Sequence, residues 1–382
     1  MDQLFVSLTG KVQEILASIL PDFLDFLAPI ALPLLGILLF APFVMMYLTW
    51  LERKLVARIQ NRIGPNRVGP FGLLQPIADG IKMLTKEDVI PEGADRFMHF
   101  LAPAVIVAPA MLTWAVLPFG RNMIAADIAV GVLYFIAISG LAEIAIFIAG
   151  WGSNNKFSLL GAMRSIAQML SYEIPMVLSV AVVVMMVGSL STSAIVEAQS
   201  GWGGFNWFIF RPWGLVGFVI FFLAGAAETN RTPFDLAEAE SEIVAGFHTE
   251  YSGMKFALFF MAEFISVFSI CALASTLFLG GWQGPFLPSW AWFFLKTYTL
   301  IGVLMWFRGT FPRLRVDQLL GFAWKGLLPM AFVNILSMGL WEFVPRPWNY
   351  VVSTSLLVIA FFLIVYGNSS DLAKKRTYVL AD

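Results

Sequence analysis

One cysteine, Cys271, stands in 382 residues, so no disulfide can close within the chain. Histidine is nearly as scarce, with only His99 and His248. Iron–sulfur clusters, haem and zinc each draw on several Cys or His ligands, and that inventory is missing here. Any redox chemistry the protein serves must therefore take its electrons from elsewhere. Charge is sparse as well: 13% of residues are Asp, Glu, Lys or Arg, about half the ~25% of a soluble domain. The net charge of -1 offers no basic surface to nucleic acid. No phosphate loop, Ser–His–Asp set or metal-ligand spacing occurs, and there are no heptad arrays or long linkers. Residues 1–27 carry acids throughout and lack a basic start followed by an apolar core, so no cleavable signal peptide is expected.

What is abundant is apolar: 59% of the residues. A bilayer is crossed by ~20 apolar residues, and roughly nine stretches qualify: 29–50, 97–119, 128–150, 174–190, 213–227, 254–281, 290–307, 326–343 and 348–366. The expectation is an all-α membrane protein with about nine transmembrane helices in a single polytopic domain, 29–382. An N-terminal segment, 1–28, would lie along the interface in its 11–27 part.

The loops test that count. All but five of the 24 lysines and arginines fall in alternate loops or at the C-terminus; the exceptions are Lys11, Arg121, Arg211, Lys296 and Arg346. An odd span number puts every basic-rich loop on one side, which predicts N-terminus outside and C-terminus cytoplasmic. Trp202, Trp207, Trp213, Trp282, Trp290 and Trp348, near the outer boundaries, fit an aromatic belt. After the first span come two Gly-Pro breaks around Asn66-Arg67-Val68, then residues 71–86. There Leu73, Leu74, Ile77, Ile81 and Leu84 share one face and Gln75, Asp79, Lys82 and Lys86 the other. That is an amphipathic surface helix, read equally well as an anchor or as a binding surface.

One polar stretch interrupts the oil. Residues 227–242 hold Glu228, Asp235, Glu238, Glu240, Glu242 and Arg231 between two apolar runs. Thr232-Pro233-Phe234-Asp235 reads as a helix start, with Thr232 as cap, Pro233 at the first position and Asp235 as a capping-box acid. On that short acidic helix Asp235, Glu238 and Glu242 share a face. At ~6 Å and an effective dielectric of ~20, each pair repels by roughly 3 kcal/mol, about two pKa units. Carboxylates so placed sit near their titration points, as a proton relay requires. A solvated acidic loop is the plainer reading of the stretch alone. Inside the spans stand Glu143 and Glu263, with Glu173 and Glu228 at span ends, where snorkelling is also open to them. A carboxylate near the membrane centre costs about 2.5 kcal/mol or more and marks an ion or proton path by default.

Two motifs carry a resemblance. Glu52-Arg53-Lys54 with Gln60-Asn61-Arg62-Ile63-Gly64-Pro65-Asn66-Arg67-Val68-Gly69-Pro70 and its continuation to Lys82 resembles the H subunit family of proton-pumping NADH:quinone oxidoreductase, respiratory complex I. Glu228-Thr229-Asn230-Arg231-Thr232-Pro233-Phe234-Asp235 with the acids that follow is similar to the family's second motif. The likeness runs from about residue 30 onward. It implies a membrane component at the heel of the membrane arm that partners other membrane subunits and the quinone-site subunits of the hydrophilic arm; the extended N-terminus favours a bacterial cytoplasmic membrane over the mitochondrial inner membrane. It implies quinone (ubiquinone) as substrate, with no cofactor held by this chain. The family's acidic funnel would be Asp79, Glu173, Glu228, Glu238, Glu240, Glu242 and Glu263, with Tyr172 beside it. Asp235 joins this proton-coupling set from the acidic stretch, and so does Glu143, which matches an acid of only part of the family. Arg53, Arg62, Arg231, Phe256, Phe260, Arg308 and Arg313 would line or support the quinone path. Two rivals are the related component of membrane-bound hydrogenases and a proton-coupled secondary transporter. The latter is expected to show inverted repeats and broken helices at the midplane.

Overall fold

The computed structural model describes residues 7, 10–11, 28–201, 206–235 and 245–372. Among them all regular structure is helical apart from one isolated bridge between Gly120 and Met123. In chain order the helices are α1 (Ala28–Ile59), α2 (Gln75–Thr85), α3 (Arg96–Leu112), α4 (Gly131–Ser139), α5 (Leu141–Gly152), α6 (Lys156–Val187) and α7 (Thr192–Ala198). They continue with α8 (Pro212–Glu228), α9 (Gly253–Phe278), α10 (Ser289–Thr310), α11 (Val316–Phe322), α12 (Leu328–Phe343) and α13 (Trp348–Leu372).

Among the described residues, eight helical segments are long and apolar enough to cross a bilayer, with α4 and α5 acting together and α11 and α12 joined by the π turn Ala323–Leu327. The 17-residue α8 is the shorter ninth. At 1.5 Å per residue it spans about 25 Å, against ~30 Å of hydrocarbon. Each expected span thus has its helix, but two differ in form. The third breaks at Gly140, between α4 and α5. The fourth begins at Lys156 instead of 174. Its first half is polar by composition, yet Ser158, Ser165 and Gln168 are buried against protein, where hydropathy is no guide.

α9 is the axis of the bundle: 61% of its apolar window is buried, against 17% for α1 and for α13, whose open faces are left for lipid or neighbours. Start signals are local. Asp95 accepts the amides of Phe97 and Met98 at the head of α3, and Asn155 accepts that of Phe157 at the head of α6. α6 stops at Gly188 in the left-handed conformation. The aromatic belt is partial: Trp348 is exposed, but Trp213 and Trp282 are buried in the core, and Trp202 lies outside the described residues. Lys296 is no loop cation; it is buried in α10, where it donates to the carbonyls of Leu279, Gly281 and Gln283 and closes the end of α9.

The amphipathic segment forms α2, preceded by a tight turn instead of starting at Phe71. Leu73, Leu74, Ile77, Ile81 and Leu84 are all exposed, so the apolar face is open. The turn depends on Gly72, at φ +79°, where a Cβ would lie 2.2 Å from the carbonyl oxygen of Pro65. Gly72→Ala is expected to cost about 1–3 kcal/mol of local stability. Limited proteolysis of the 60–75 loop should show faster cleavage in the variant, and an unchanged rate would count against the turn.

Candidate functional site

The site begins with the short α8. Its last turn ends at Glu228, and residues 229–235 fold into successive turns, the amide of Phe234 bonding back to the Arg231 carbonyl at 2.8 Å. Buried Gln168 on α6 holds this segment from beneath, donating to the carbonyls of Ala227 and Phe234 at 2.7 Å each. A helix therefore does not start at Pro233. The Asp235 carboxylate meets Arg313 Nη2 at 3.0 Å. The acidic helix expected beyond, with Glu238, Glu240 and Glu242, lies outside the described residues.

The turn presents Arg231 to the centre of the bundle. Its Nη1 donates to Glu52 Oε2 at 2.9 Å and its Nε faces Glu263 Oε1 at 3.1 Å, while the guanidinium lies 4.3 Å from the centre of the Phe264 ring. Arg308 on α10 donates to the other oxygen of Glu52. Two arginines and two carboxylates thus join α1, the turn after α8, α9 and α10. Glu263, expected as an intramembrane acid, has a counter-ion in Arg231.

Around this junction stand two further pairs. Arg53 holds Asp79 at 2.6 Å, tying α1 to α2, and Gln75 donates to the same carboxylate at 3.0 Å. Burial alone would raise Asp79, but those hydrogen bonds and the charges of Arg53 and Lys82 hold it below the usual carboxylate range. Asp235 and Arg313 form the second pair. Phe256 and Phe260 follow one another on α9 with ring centres 5.0 Å apart, leading to Phe264. Arg62 stands away from the group: it is exposed, and its Nε donates to Gln60.

Apart from these pairs lies a second set of acids. Glu143, Glu173 and Glu228 are near enough to repel one another, and among the described residues none of them meets a cation. The Ser139 hydroxyl, which donates to the Ile136 carbonyl at 3.0 Å, lines a cavity together with Glu228, and Glu228 Oε2 is buried without a partner among the described residues. Two small cavities meet at Glu228. One, of about 50 Å³, is lined by His248, Asn230, Glu263 and Ser266; the other, of about 40 Å³, by Ser139, Thr113, Ser266 and Ser269. A water needs roughly 10–15 Å³, so each has room for a few. Tyr172 is fully buried, its hydroxyl donating to the Leu319 carbonyl at 2.9 Å and its ring 5.3 Å from Phe234.

Sequence reasoning missed Glu52, Gln168 and His248 as members of the site. Glu52 and Gln168 lie in or beside the polar stretches of the apolar chain, so proximity to a motif was the available signal. His248 had none. Among the described residues no three His, Cys, Asp or Glu side chains converge as metal ligands.

Residues 32–339 match a family model described as NADH dehydrogenase. The NADH-quinone oxidoreductase H subunit of Dehalococcoides mccartyi is 50% identical over 318 residues, covering 83% of this chain and 87% of the relative. The chain belongs to the H subunit family of NADH-quinone oxidoreductase. Other members of that family agree. One of the H subunits of Geobacter sulfurreducens, the second by number, is 52% identical over 77% of this chain and 90% of its own length. The H subunit of Bacillus thuringiensis is 52% identical over 74% and 85% respectively.

Two outcomes follow for this member of the oxidoreductase family. Removing Arg231 strips Glu52 and Glu263 of a shared counter-ion; because Arg308 still faces Glu52, Arg231→Gln should cost about 3 kcal/mol. A double-mutant cycle with Glu52→Gln, read by thermal unfolding of the assembled complex, should be non-additive by about 1 kcal/mol or more; additive values would dissolve the junction. Burial among Phe247, Phe256 and Phe259 pushes His248 down to about 3. An unfolded histidine takes its proton near pH ~6.5. Its contribution to stability is therefore whole above pH ~6.5 and is lost progressively as pH falls toward 3. His248→Gln should flatten the melting-temperature profile between about pH 7.5 and 5; an unaltered slope would refute this.

Proposed function

We propose that this chain, a membrane subunit of complex I, forms much of the quinone path and an acidic proton-coupling route at the junction with the hydrophilic arm. In this reading it sits in a bacterial cytoplasmic membrane with its N-terminus outside and its C-terminus cytoplasmic. Family membership supports the coarser statement. The finer one rests on a single observation: Glu263, one carboxylate of the Glu52–Arg231–Glu263–Arg308 junction, lines the same cavity as Glu228, which in turn stands near Glu143 and Glu173.

The two sets of acids divide the work. Glu52, Asp79, Asp235 and Glu263 are each matched to an arginine, which holds them in place and keeps the wall of the path polar but compensated. Glu143, Glu173 and Glu228 have no such match, so a change of charge in the neighbouring chamber is felt by all three through a poorly hydrated medium. Quinone reduction consumes protons and alters that charge. Electrons come from the partner subunits; this chain binds, excludes water, and passes protons along Ser139, Glu228 and the small cavities. Phe256 and Phe260 offer an apolar wall to the quinone, and the exposed face of α2 offers its tail a floor. The acids crowd toward one end of the bundle, which favours this reading over a transporter with a midplane site.

Glu228→Gln keeps the shape of the carboxylate and removes its proton exchange. It should lower quinone reduction and proton pumping by about tenfold, or ~1.4 kcal/mol, while NADH oxidation by a soluble artificial acceptor stays within about twofold. Parallel loss of both activities in a fully assembled complex would rule the coupling role out.

A further inference from the structure

The other end of α8 holds a feature that this function leaves unused. Between α8, α12 and α13 lies an open groove of about 500 Å³, within the ~300–1,000 Å³ of ligand pockets. Leu215 lines one side and Val358, Phe361 and Phe362 the other, and all four are exposed. The polar residues in the lining are Thr354 and Arg211, and the Thr354 hydroxyl is already given to the Tyr350 carbonyl at 2.6 Å. One cation is thus left at the mouth of an apolar slot.

Arg211 is fixed there by two rings, 4.9 Å from the centre of Phe208 and 5.7 Å from that of Trp213. Its Nη1 is buried and has no hydrogen-bond partner among the described residues. The charged and titratable groups that face it are Arg346, Glu342 and Tyr350, so the set keeps one net positive charge at neutral pH. α8 starts at the next residue, Pro212, and its N-terminus adds the positive end of the helix dipole. A helix from a neighbouring subunit would fill the slot and leave the guanidinium without an anion. A quinone would do the same, since its head is neutral. A molecule with an anionic head and a long apolar tail satisfies both parts.

We propose that this groove binds one anionic phospholipid, with its phosphate at Arg211 and an acyl chain laid along Leu215, Val358 and Phe361. The site is independent of the quinone reading, being at the opposite end of α8 from Arg231. It would fasten α13, the least buried of the helices with α1, to the rest of the bundle.

The test uses the assembled complex with Thr354→Cys carrying a photo-crosslinker, in nanodiscs of phosphatidylglycerol or of phosphatidylcholine. Mass analysis of this chain should find a phospholipid adduct, about fivefold more abundant in phosphatidylglycerol, the preference that one basic residue at a membrane surface confers. Adding Arg211→Gln should bring the phosphatidylglycerol yield down about fivefold. An adduct to a neighbouring polypeptide, no adduct, or equal yields in the two lipids overturns the proposal. If Arg211→Gln prevents assembly, the comparison of the two lipids on the Thr354→Cys chain decides alone.

Discussion

The structure depends on one buried charge arrangement, Arg231 held between Glu52 and Glu263 with Arg308 closing the far side of Glu52. Four segments far apart in sequence meet there. Ion pairs of this depth are weak evidence of stability, because removing each charge from water costs several kcal/mol that attraction barely returns. Their value lies in position. A guanidinium that is satisfied in one geometry fixes where the turn after α8 enters the bundle, and the turn in turn fixes the ends of the cavities beside Glu228.

The contrast between matched and unmatched acids follows from that arrangement. Arginine remains charged under all ordinary conditions and presents a planar fork, so it can hold two carboxylates at once. It spends this capacity on the set nearest the end of the bundle. Glu143, Glu173 and Glu228 form no ion pair among the described residues, and Glu228 opens on two small cavities. The acids therefore differ in environment, though they look alike along the chain.

Much of the architecture was legible in the sequence, for identifiable reasons. Long apolar runs such as 254–281 and 348–366 were plain because their hydropathy needs no partner to be read. The first half of α6 was not, because Ser158, Ser165 and Gln168 are buried by neighbours that only tertiary structure supplies. At the site, the motifs pointed to Arg231, Glu228 and Glu263 but not to which carboxylates Arg231 holds. Glu52 and Arg231 are 179 residues apart, and nothing local says which helix faces which. Pro233 suggests a helix start by its local preference, but the segment around it is held from outside by Gln168 and Arg313.

The shortness of α8 carries one more consequence. A helix about 5 Å too short for the hydrocarbon layer draws the aqueous boundary inward at its tip, by thinning the bilayer or by letting polar turns descend. Residues 229–235 are such a descent. Hydration is thereby carried about 5 Å inward at this one helix end by geometry alone.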